Sequence, residues 1–319
     1  MEIFLTILAG LCLFLFAVSS LSETLKNLLG EKARKWIGIF TKNTFTGILT
    51  GTVITILLDS SSAVIILTIV LVNSKVLTFQ QSLGIVLGAN IGTTFSSQLI
   101  ALDIGKYSPI PIFIGLVLSF ISRSDLISKS GRSLLYFGIM FFGLYTMERA
   151  VEPLRSAPEF MELMTRLENP LKGAGVGAAV TLILQSSSAT VGMVITLAKK
   201  ELISLSAGIA VMLGAELGTC SDTLLATLKS NRQAVKTGLF HLIFNLTSII
   251  LGIILFPWFV SFIKNISGGA GIEQQIANAH MLFNIGGVLL FYPLIPFLSS
   301  MLNKLLPDRY EIKQSVSLS

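Results

Sequence analysis

An apolar unit of 48 residues occurs twice in this chain, and a cluster of polar residues interrupts each copy near its centre. Residues 47–94 align with residues 173–220 without a gap at an offset of 126 positions, and 15 of the 48 positions are identical. The identities fall on glycines, on a triple serine and on a Gly-Ala-x-x-Gly-Thr turn. A duplicated apolar unit with a polar break is typical of a membrane protein that builds one site between two repeats.

The composition excludes a water-soluble fold with a single core. The chain of 319 residues is 52% hydrophobic and 13% charged, whereas soluble domains contain about 25% charged residues. The lipid bilayer is therefore the expected surrounding. The formal net charge of +6 is attributed to basic cytoplasmic loops, so no nucleic-acid partner is expected. Residues 3–21 lack the basic start and the cleavage site of a signal peptide and predict a first spanning helix.

The apolar segments predict an all-α, polytopic membrane protein. They comprise residues 3–21, 47–72, 79–101, 109–122, 133–147, 173–198, 203–228, 238–263 and 279–301. The offset of 126 groups them into repeat 1 over residues 1–122 and repeat 2 over residues 129–263. Residues 279–301 remain as an additional C-terminal transmembrane helix.

The number of crossings in each repeat decides whether the repeats are parallel or inverted. Each arm of the serine-bearing segments has about 10–12 residues, or about 15–18 Å of helix, which reaches the midplane of a membrane without crossing it. We therefore predict two inverted repeats, each with a re-entrant hairpin (47–72 or 173–198) and a following broken helix (79–101 or 203–228). Nine ordinary spanning helices are the alternative.

Loop charge predicts the orientation. With the N-terminus outside, 15 of the 23 Lys and Arg residues lie in inside loops or in the C-terminal tail, and the outside segments hold the other 8 with 9 acidic residues. Multi-pass proteins show this cytoplasmic excess of basic residues. We expect a multi-pass protein of a cell membrane (inner or plasma membrane), with a bacterial source favoured, and with a cytoplasmic C-terminus. The basic residues 23–44 are expected to lie along the cytoplasmic surface.

The polar breaks are the candidate binding sites. Residues 59–62 read Asp-Ser-Ser-Ser and residues 185–188 read Gln-Ser-Ser-Ser, and lipid cannot satisfy their backbone groups. At a hairpin tip, the next helix begins with free N–H groups and the positive end of its dipole at the break. Serine hydroxyls beside these groups make the tip suitable for an oxyanion. Serines that only cap a kinked helix are the alternative, which two copies in register disfavour.

A second polar break follows each hairpin. Residues 88–94 read Gly-Ala-Asn-Ile-Gly-Thr-Thr, and residues 214–220 read Gly-Ala-Glu-Leu-Gly-Thr-Cys. Two glycines four residues apart allow either close helix packing or local unwinding. The oxygen atoms of Asn90, Thr93 and Thr94 suit a hard cation such as sodium, which favours an ion site.

Three acidic residues, Asp59, Glu216 and Asp222, lie within the apolar segments, where carboxylates are costly and mark functional sites. Neither hairpin contains a lysine or an arginine to pair with them. We therefore expect N–H groups, hydroxyls and co-bound cations to hold an anion. Coupling to sodium would follow, because without the cation the anion meets nearby carboxylates.

Two matching motifs contain both histidines of the chain. Residues 241–245 read His-Leu-Ile-Phe-Asn and residues 280–284 read His-Met-Leu-Phe-Asn. The spacing places His241 and Asn245 on one helix face, and His280 and Asn284 on another. Helix–helix hydrogen bonding and a weak site-lining role are equally supported. No ligand cluster for a metal is expected beyond the sodium sites.

The paired Gln-Ser-Ser-Ser-Ala type hairpins, each followed by a Gly-Ala-Asn-Ile-Gly-Thr-Thr type break, resemble the sodium–phosphate cotransporter family, namely the type II group and its bacterial relatives. The resemblance covers about residues 1–301. It implies two inverted repeats, sodium-driven symport of inorganic phosphate and a site formed by both hairpin tips. The matching hairpin residues are Ser60, Ser61, Ser62, Gln185, Ser186, Ser187 and Ser188, and the matching residues of the second motif are Asn90, Gly92, Thr93, Thr94, Gly218 and Thr219.

The chain departs from the family pattern at two positions. Asp59 stands where the family usually has Gln, and Glu216 stands where it usually has Asn. Each departure replaces a neutral amide with a carboxylate. They open an alternative, a proton-coupled or altered-substrate anion transporter in which Asp59 and Glu216 titrate.

The prediction is a secondary active transporter that moves inorganic phosphate inward with sodium by alternating access. Sodium is a co-substrate, no cofactor is expected, and the oligomeric state is left open. An enzyme is disfavoured, because no histidine lies near the serines in the sequence and no Gly-x-Ser-x-Gly elbow surrounds them. The expected phosphate ligands are the hairpin residues named above, and the expected coupling-ion residues are Asp59, Asn90, Thr93, Thr94, Glu216 and Thr219.

Overall fold

A computed structural model describes residues 2–102, 104–121 and 124–307, and its regular structure is entirely helical. The all-α prediction is confirmed for these residues. The predicted segment end at Ser122, the loop residue Arg123 and the tail residues Arg309 and Lys313 lie outside the described ranges. The helices are α1 (Glu2–Phe40), α2 (Thr44–Leu58), α3 (Ser61–Asn73), α4 (Phe79–Ala101), α5 (Pro109–Ile121), α6 (Asp125–Val151), α7 (Pro158–Arg166), α8 (Pro170–Leu184), α9 (Ser187–Lys199), α10 (Leu205–Gly218), α11 (Cys220–Ala226), α12 (Arg232–Ile254), α13 (Phe256–Ile266), α14 (Ile272–Phe291) and α15 (Ile295–Leu305).

Six helical stretches of the described chain are long and apolar enough to cross a membrane. The helices beside the first serine motif are shorter, with 15 residues in α2 and 13 in α3, or about 22 and 20 Å of helix. This set of apolar helices is that of a multi-pass membrane protein. The six long stretches are Glu2–Phe40, Phe79–Ala101, Asp125–Ser156, Leu205–Ala226, Arg232–Ile254 and Ile272–Leu305.

The duplication is visible in the helix bounds. Helices α2 and α8 begin and end at equivalent positions under the offset of 126, and so do α3 and α9. Left-handed backbone also recurs, with φ of 50° at Asp59 and 54° at Gln185, and with φ of 60° at Lys75 and 54° at Glu201. Both copies of the sequence therefore adopt the same local backbone, even where their side chains differ.

Close glycine contacts join α2 to α4 in one repeat and α8 to α10 in the other. A Cβ atom on Gly88 would lie 2.0 Å from the carbonyl oxygen of Ile48, and one on Gly214 would lie 1.8 Å from that of Ala174. Ile48 and Ala174 are equivalent positions in the alignment. The glycines of the second motif therefore allow close helix packing, which was one of the two predicted uses.

The predicted broken helix at 79–101 is continuous in the structure. The polar side chains need no break, because their hydrogens reach carbonyl oxygens of the same helix. Asn90 Nδ2 donates to Val86 at 2.9 Å, and Thr93 Oγ1 donates to Ala89 at 3.0 Å. The equivalent segment 203–228 is divided at Thr219 into α10 and α11.

Three other boundaries differ from the predictions. Residues 23–44 do not form a separate surface segment, because α1 continues to Phe40 and buries Ala33 and Ile37 in a core shared with α2 and α4. The segment 238–263 is divided at Leu255, where Pro257 lies in the first turn of α13 and has no N–H to donate. The segment 279–301 belongs to two helices, α14 and α15, separated by a short 3₁₀ turn.

Polar contacts define two ends of the helix bundle. At one end, called here the Asn73 end, the backbone N–H of Asn231 donates to Asn73 Oδ1 at 2.7 Å. At the other, called the Glu148 end, Lys200 Nζ lies 3.3 Å from Glu148 Oε1. Helix α4 runs from the Asn73 end to the Glu148 end. It begins at Phe79, six residues after Asn73. It ends beside Lys199, the neighbour of Lys200, and Lys199 Nζ donates to the Leu102 carbonyl at 3.2 Å.

Candidate functional site

Both serine motifs line one chamber of about 430 Å³. Residues 59–62 are called tip 1 and residues 185–188 are called tip 2. The structure therefore brings together two motifs that lie 126 residues apart in the chain. The lining residues are Asp59, Ser60, Ser61, Ser62, Leu184, Gln185, Ser186, Ser187, Ser188 and Thr219, together with Val18, Ser19, Ser22, Glu23 and Lys26 of α1.

The first serine of each tip caps the helix that follows. Ser60 Oγ accepts from the N–H of Ala63 at 3.2 Å, and Ser186 Oγ accepts from the N–H of Ala189 at 3.1 Å. The next N–H of each helix bonds to the carbonyl oxygen of the same capping serine. The first two N–H groups of α3 and α9 consequently have no intrahelical acceptor, and they belong to chamber-lining serines.

Each repeat has one carboxylate at the pair of equivalent positions 59/185 and 96/222, but on a different element in each repeat. In repeat 1 the Ser96 hydroxyl of α4 donates to Asp59 Oδ1. The equivalent positions in repeat 2 are Gln185 and Asp222, so the acid moves from the tip to the helix. Asp222 does not line the chamber, and its Oδ1 lies 3.3 Å from the hydroxyl of Ser221.

Glu216 lies outside the chamber, at a junction of three helices. Its side chain is buried, and Oε1 is 2.7 Å from Nε2 of His280 on α14. The other ring nitrogen of His280 is 2.7 Å from the hydroxyl of Ser97 on α4. This arrangement links α4, α10 and α14 through one buried carboxylate–imidazole pair.

The second histidine has an equivalent contact. Thr223 is the repeat counterpart of Ser97, and its hydroxyl is 2.9 Å from Nδ1 of His241. Asn245 Nδ2, one turn along α12, donates to the carbonyl oxygen of Glu216 at 2.8 Å. The polar atoms of these two residues therefore bond between helices.

The remaining polar residues of the second motif also lie outside the chamber lining. Asn90, Thr93 and Thr94 are buried in α4. Asn284 is buried in α14 and donates to the His280 carbonyl at 3.1 Å. Within the described ranges, no group of three or more His, Cys, Asp and Glu side chains is arranged to hold a metal ion.

The sequence interpretation missed the contribution of α1. Glu23 and Lys26 line the chamber, although the sequence suggested no basic side chain near the tips. The available signal was a set of polar residues three or four positions apart, Ser19, Ser22, Glu23 and Lys26, at the end of the apolar segment 3–21. Nothing in the sequence said that this helix face meets the two tips.

A wider cavity of about 930 Å³ opens at the Asn73 end. It is lined by Lys75, Arg232 and neighbouring residues of the loops before α4 and α12, and by neither tip. Its basic lining contrasts with the mixed charge of the chamber. The chamber is the better candidate for a binding site, because both duplicated motifs meet there.

A polar chamber between two copies of an apolar helical unit is the arrangement of a membrane transporter. The chain belongs to the Na+/Pi-cotransporter family, whose model matches residues 13–149 and, in a second copy, residues 155–289. Members of this family are phosphate transporters and not enzymes.

Individual relatives cover the chain to different extents. A Bacillus subtilis (strain 168) protein named uncharacterized protein YqeW is 27% identical over 310 residues, which is 97% of this chain and 100% of the relative. YjbB of Escherichia coli (strain K12), named provisionally as an inorganic phosphate export protein, is 25% identical over 265 residues, which is 82% of this chain and 48% of the relative. The sodium-dependent phosphate transport protein 2B of Homo sapiens is 26% identical over 132 residues, 38% of this chain and 19% of the relative. No solved structure matches the chain.

Proposed function

We propose that this chain is a secondary active transporter that carries inorganic phosphate inward with sodium by alternating access. One observation carries the proposal, namely that both serine tips line a single chamber of about 430 Å³. Membership of the Na+/Pi-cotransporter family supports phosphate as the substrate and sodium as the co-substrate. The name of the human relative also describes sodium-dependent phosphate transport.

The tips can hold a phosphate oxyanion through backbone and side-chain donors. The unpaired N–H groups belong to Ser61 and Ser62 at the start of α3, and to Ser187 and Ser188 at the start of α9. Two helix N-termini then direct their positive dipole ends into one chamber. The hydroxyls of the same serines and the amide of Gln185 supply further donors.

The coupling cation is proposed to bind near Asp59, where a carboxylate and the hydroxyl of Ser96 adjoin the chamber. Carboxylate and hydroxyl oxygens are suitable ligands for a hard cation. Thr219 lines the chamber as well. Four further residues remain proposed for the ion site, although they are buried outside the chamber lining: Asn90, Thr93, Thr94 and Glu216.

Helix contacts support two inverted repeats with re-entrant hairpins. Hairpin 1 (α2 and α3) has its open end near the Asn73 end. Its second helix, α3, ends at Asn73. Just before its first helix, the carbonyl oxygen of Thr41 accepts a hydrogen bond from Gln81 near the start of α4. Hairpin 2 (α8 and α9) has its open end near the Glu148 end, because Lys200 follows α9 and Ser204 Oγ donates to Glu168 just before α8 at 2.7 Å. The hairpins would therefore enter from opposite sides.

The charges of the two ends support the proposed orientation in a cell membrane. The Asn73 end carries Lys75 and Arg232 beside its cavity. The Glu148 end includes the acidic residues Glu148, Glu152 and Glu168. Because basic loops remain cytoplasmic, the Asn73 end would face the cytoplasm and the start of α1 would face outside.

The test is uptake of radiolabelled phosphate into proteoliposomes with and without an inward sodium gradient. Wild type should take up phosphate only with the gradient, and Ser187→Ala should lose most of this uptake. Ser206→Ala is the matched control, because this serine of α10 does not line the chamber. Sodium-independent uptake, or uptake equal in Ser187→Ala and wild type, would contradict the proposal.

The direction of transport needs a separate arm, since the Escherichia coli relative is named for phosphate export. Vesicles loaded with labelled phosphate should release it faster when sodium is high inside and low outside. A coupled symporter works in both directions, and the sodium gradient sets the direction. Release that ignores the sodium gradient would indicate an exporter with another driving force.

The buried pair of Glu216 and His280 favours a second candidate, coupling to protons. Chains of acidic and histidine side chains form proton relays in membrane transporters, and Glu216 Oε1 lies 2.7 Å from His280 Nε2 inside the helix bundle. If this pair carries the coupling proton, collapse of a pH gradient should abolish uptake, while replacement of sodium by choline should not. His280→Gln should remove the pH dependence and retain phosphate binding.

A further inference from the structure

The chamber has a third wall, which belongs to neither copy of the duplicated motif. Helix α1 contributes Ser19, Ser22, Glu23 and Lys26 to the lining. The last three of these positions are three, four and seven residues from the first, so the four side chains form one stripe on a helix face. This polar stripe begins inside the apolar segment 3–21, at Ser19, extends beyond its end, and borders the same cavity as both tips.

A positive charge distinguishes the stripe from the tips. Among the described lining residues, Lys26 carries the single positive charge, and Glu23 and Asp59 carry the negative charges. The donors on the tips are neutral N–H and hydroxyl groups. A hydrogen bond between an ammonium and an oxyanion is roughly twice as strong as a neutral one. The flexible stem of lysine also lets its charge follow a mobile anion.

The stripe is not repeated in the second half of the chain. The counterparts of Glu23 and Lys26 at the offset of 126 are Arg149 in the last turn of α6 and Glu152, the residue that follows α6. Glu152 Oε2 lies 3.6 Å from Lys200 Nζ at the Glu148 end, and neither counterpart lines the chamber. The chamber is therefore symmetric in its serine tips and asymmetric in the charges that face them.

We propose that Lys26 binds the anionic substrate directly and that Glu23, one turn earlier, weakens this binding. The pair would set the affinity of the chamber for phosphate-like oxyanions. This inference rests on the proposed function, because it assigns a further binding residue to the same chamber. Both side chains are exposed, so their replacement leaves the packing of the helix bundle unchanged.

The first test is the phosphate KM of uptake for single variants. Lys26→Gln should raise the KM about tenfold or more, which corresponds to about 1.4 kcal/mol, and Lys26→Arg should retain most of the affinity. Glu23→Gln should lower the KM, because it removes a negative charge beside the anion. A merely structural role would move Lys26→Gln and Glu23→Gln in the same direction.

Lys32→Gln is the matched control. Lys32 is an exposed lysine on the same helix and does not line the chamber, so its KM should equal that of wild type. An unchanged KM in Lys26→Gln, with active wild type, would overturn this inference and leave the proposed function standing. An equal rise in Lys32→Gln would overturn it too, because net charge rather than position would then explain the effect.

A second test does not depend on transport. Lys26→Cys is made in a Cys12→Ser background, which leaves Cys220 buried, and is labelled with a negatively charged methanethiosulfonate reagent. Inorganic phosphate at ten times the dissociation constant of the variant should slow labelling about tenfold, and Lys32→Cys should be unaffected. Absence of protection would overturn the inference, even if wild type fails to transport phosphate and the proposed function is wrong.

Discussion

Tip 1 and tip 2 have the same backbone and different charges. Each tip begins with a left-handed residue, Asp59 or Gln185, directly after a helix, and continues with a serine that caps the next helix. In tip 1, the charged Asp59 accepts a hydrogen bond from Ser96 of α4. In tip 2, the equivalent residue is the neutral amide Gln185, and the acid is Asp222, at the position equivalent to Ser96. The comparison shows that the duplication retains what the backbone geometry requires, while the side chains that carry charge are free to differ.

The largest expected effect tests the shared geometry. Gly88→Ala and Gly214→Ala each place a Cβ atom 2.0 Å or less from a carbonyl oxygen of the neighbouring helix. Such overlap forces the helices apart, and overpacking alone costs about 1–3 kcal/mol or more. We expect both variants to lose monodisperse folded protein in detergent, measured by size-exclusion chromatography and thermal melting.

The control for the glycine variants is Gly175→Ala on α8, where a Cβ atom would meet nothing within 4 Å. It should melt at the wild-type temperature or slightly above, because alanine favours a helix more than glycine does. Normal folding of either Gly88→Ala or Gly214→Ala would show that the two repeats do not share the same close packing.

A smaller effect is expected from making tip 1 resemble tip 2. Asp59→Gln removes the charge that Ser96 contacts, and a hydrogen bond to a charged group contributes about 1.5–3 kcal/mol. If Asp59 holds the coupling cation, the sodium concentration for half-maximal uptake should rise about tenfold or more. Ser96→Ala keeps the carboxylate and should cause a smaller rise. Equal sodium dependence in Asp59→Gln and wild type would place the cation elsewhere.

The smallest effect is expected from Val64→Thr, which tests a hydroxyl pair inside the hairpins. In hairpin 2, Thr181 Oγ1 donates to Thr190 Oγ1 at 2.7 Å, whereas the counterpart of Thr190 in hairpin 1 is Val64. The hydroxyl of Thr55, the counterpart of Thr181, is buried without a hydrogen-bond partner among the described residues. Val64→Thr should supply one and raise the free energy of unfolding by about 0.5–1.5 kcal/mol.

The reverse variant sharpens the same comparison. Thr190→Val should leave the buried Thr181 hydroxyl unpaired and lower stability by about 1–3 kcal/mol. Both variants are nearly isosteric, so the effect reports the hydrogen bond rather than the volume. Thermal melting of the two variants side by side is the measurement, and shifts of the same sign would contradict the proposed difference between the hairpins.

Much of the local structure followed from the sequence. The offset of 126 predicted that both serine motifs end one helix and begin another, and the bounds of α2, α3, α8 and α9 agree with it. Capping and helix termination depend on residues within one or two turns of the chain, so the sequence carries this information directly. The break that was predicted in segment 79–101 is wrong. Helix α4 is continuous, because its polar side chains donate hydrogen bonds to carbonyl oxygens of the same helix.

The candidate site was predictable only in part. The sequence indicated that the two tips meet, since duplicated motifs commonly form one site between repeats. It could not show that Glu216 contacts His280, which lies 64 positions further along the chain. It also could not show that the Nδ1 atoms of His280 and His241 contact Ser97 and Thr223. Hydrophobic periodicity shows which side chains share a helix face, but not which helix covers that face.

The sequence by itself determined the helical class, the duplication, the serine tips and the family of transporters to which the chain belongs. The tertiary structure decided that Glu23 and Lys26 line the chamber, while their counterparts at the end of α6, Arg149 and Glu152, do not. The physical reason is that helix caps and turns depend on neighbours in the chain, whereas a chamber depends on how helices pack across it. The two repeats have the same caps and turns at their serine tips. Only α1, and not its counterpart α6, lines the chamber between the tips, which makes the charge of the chamber asymmetric.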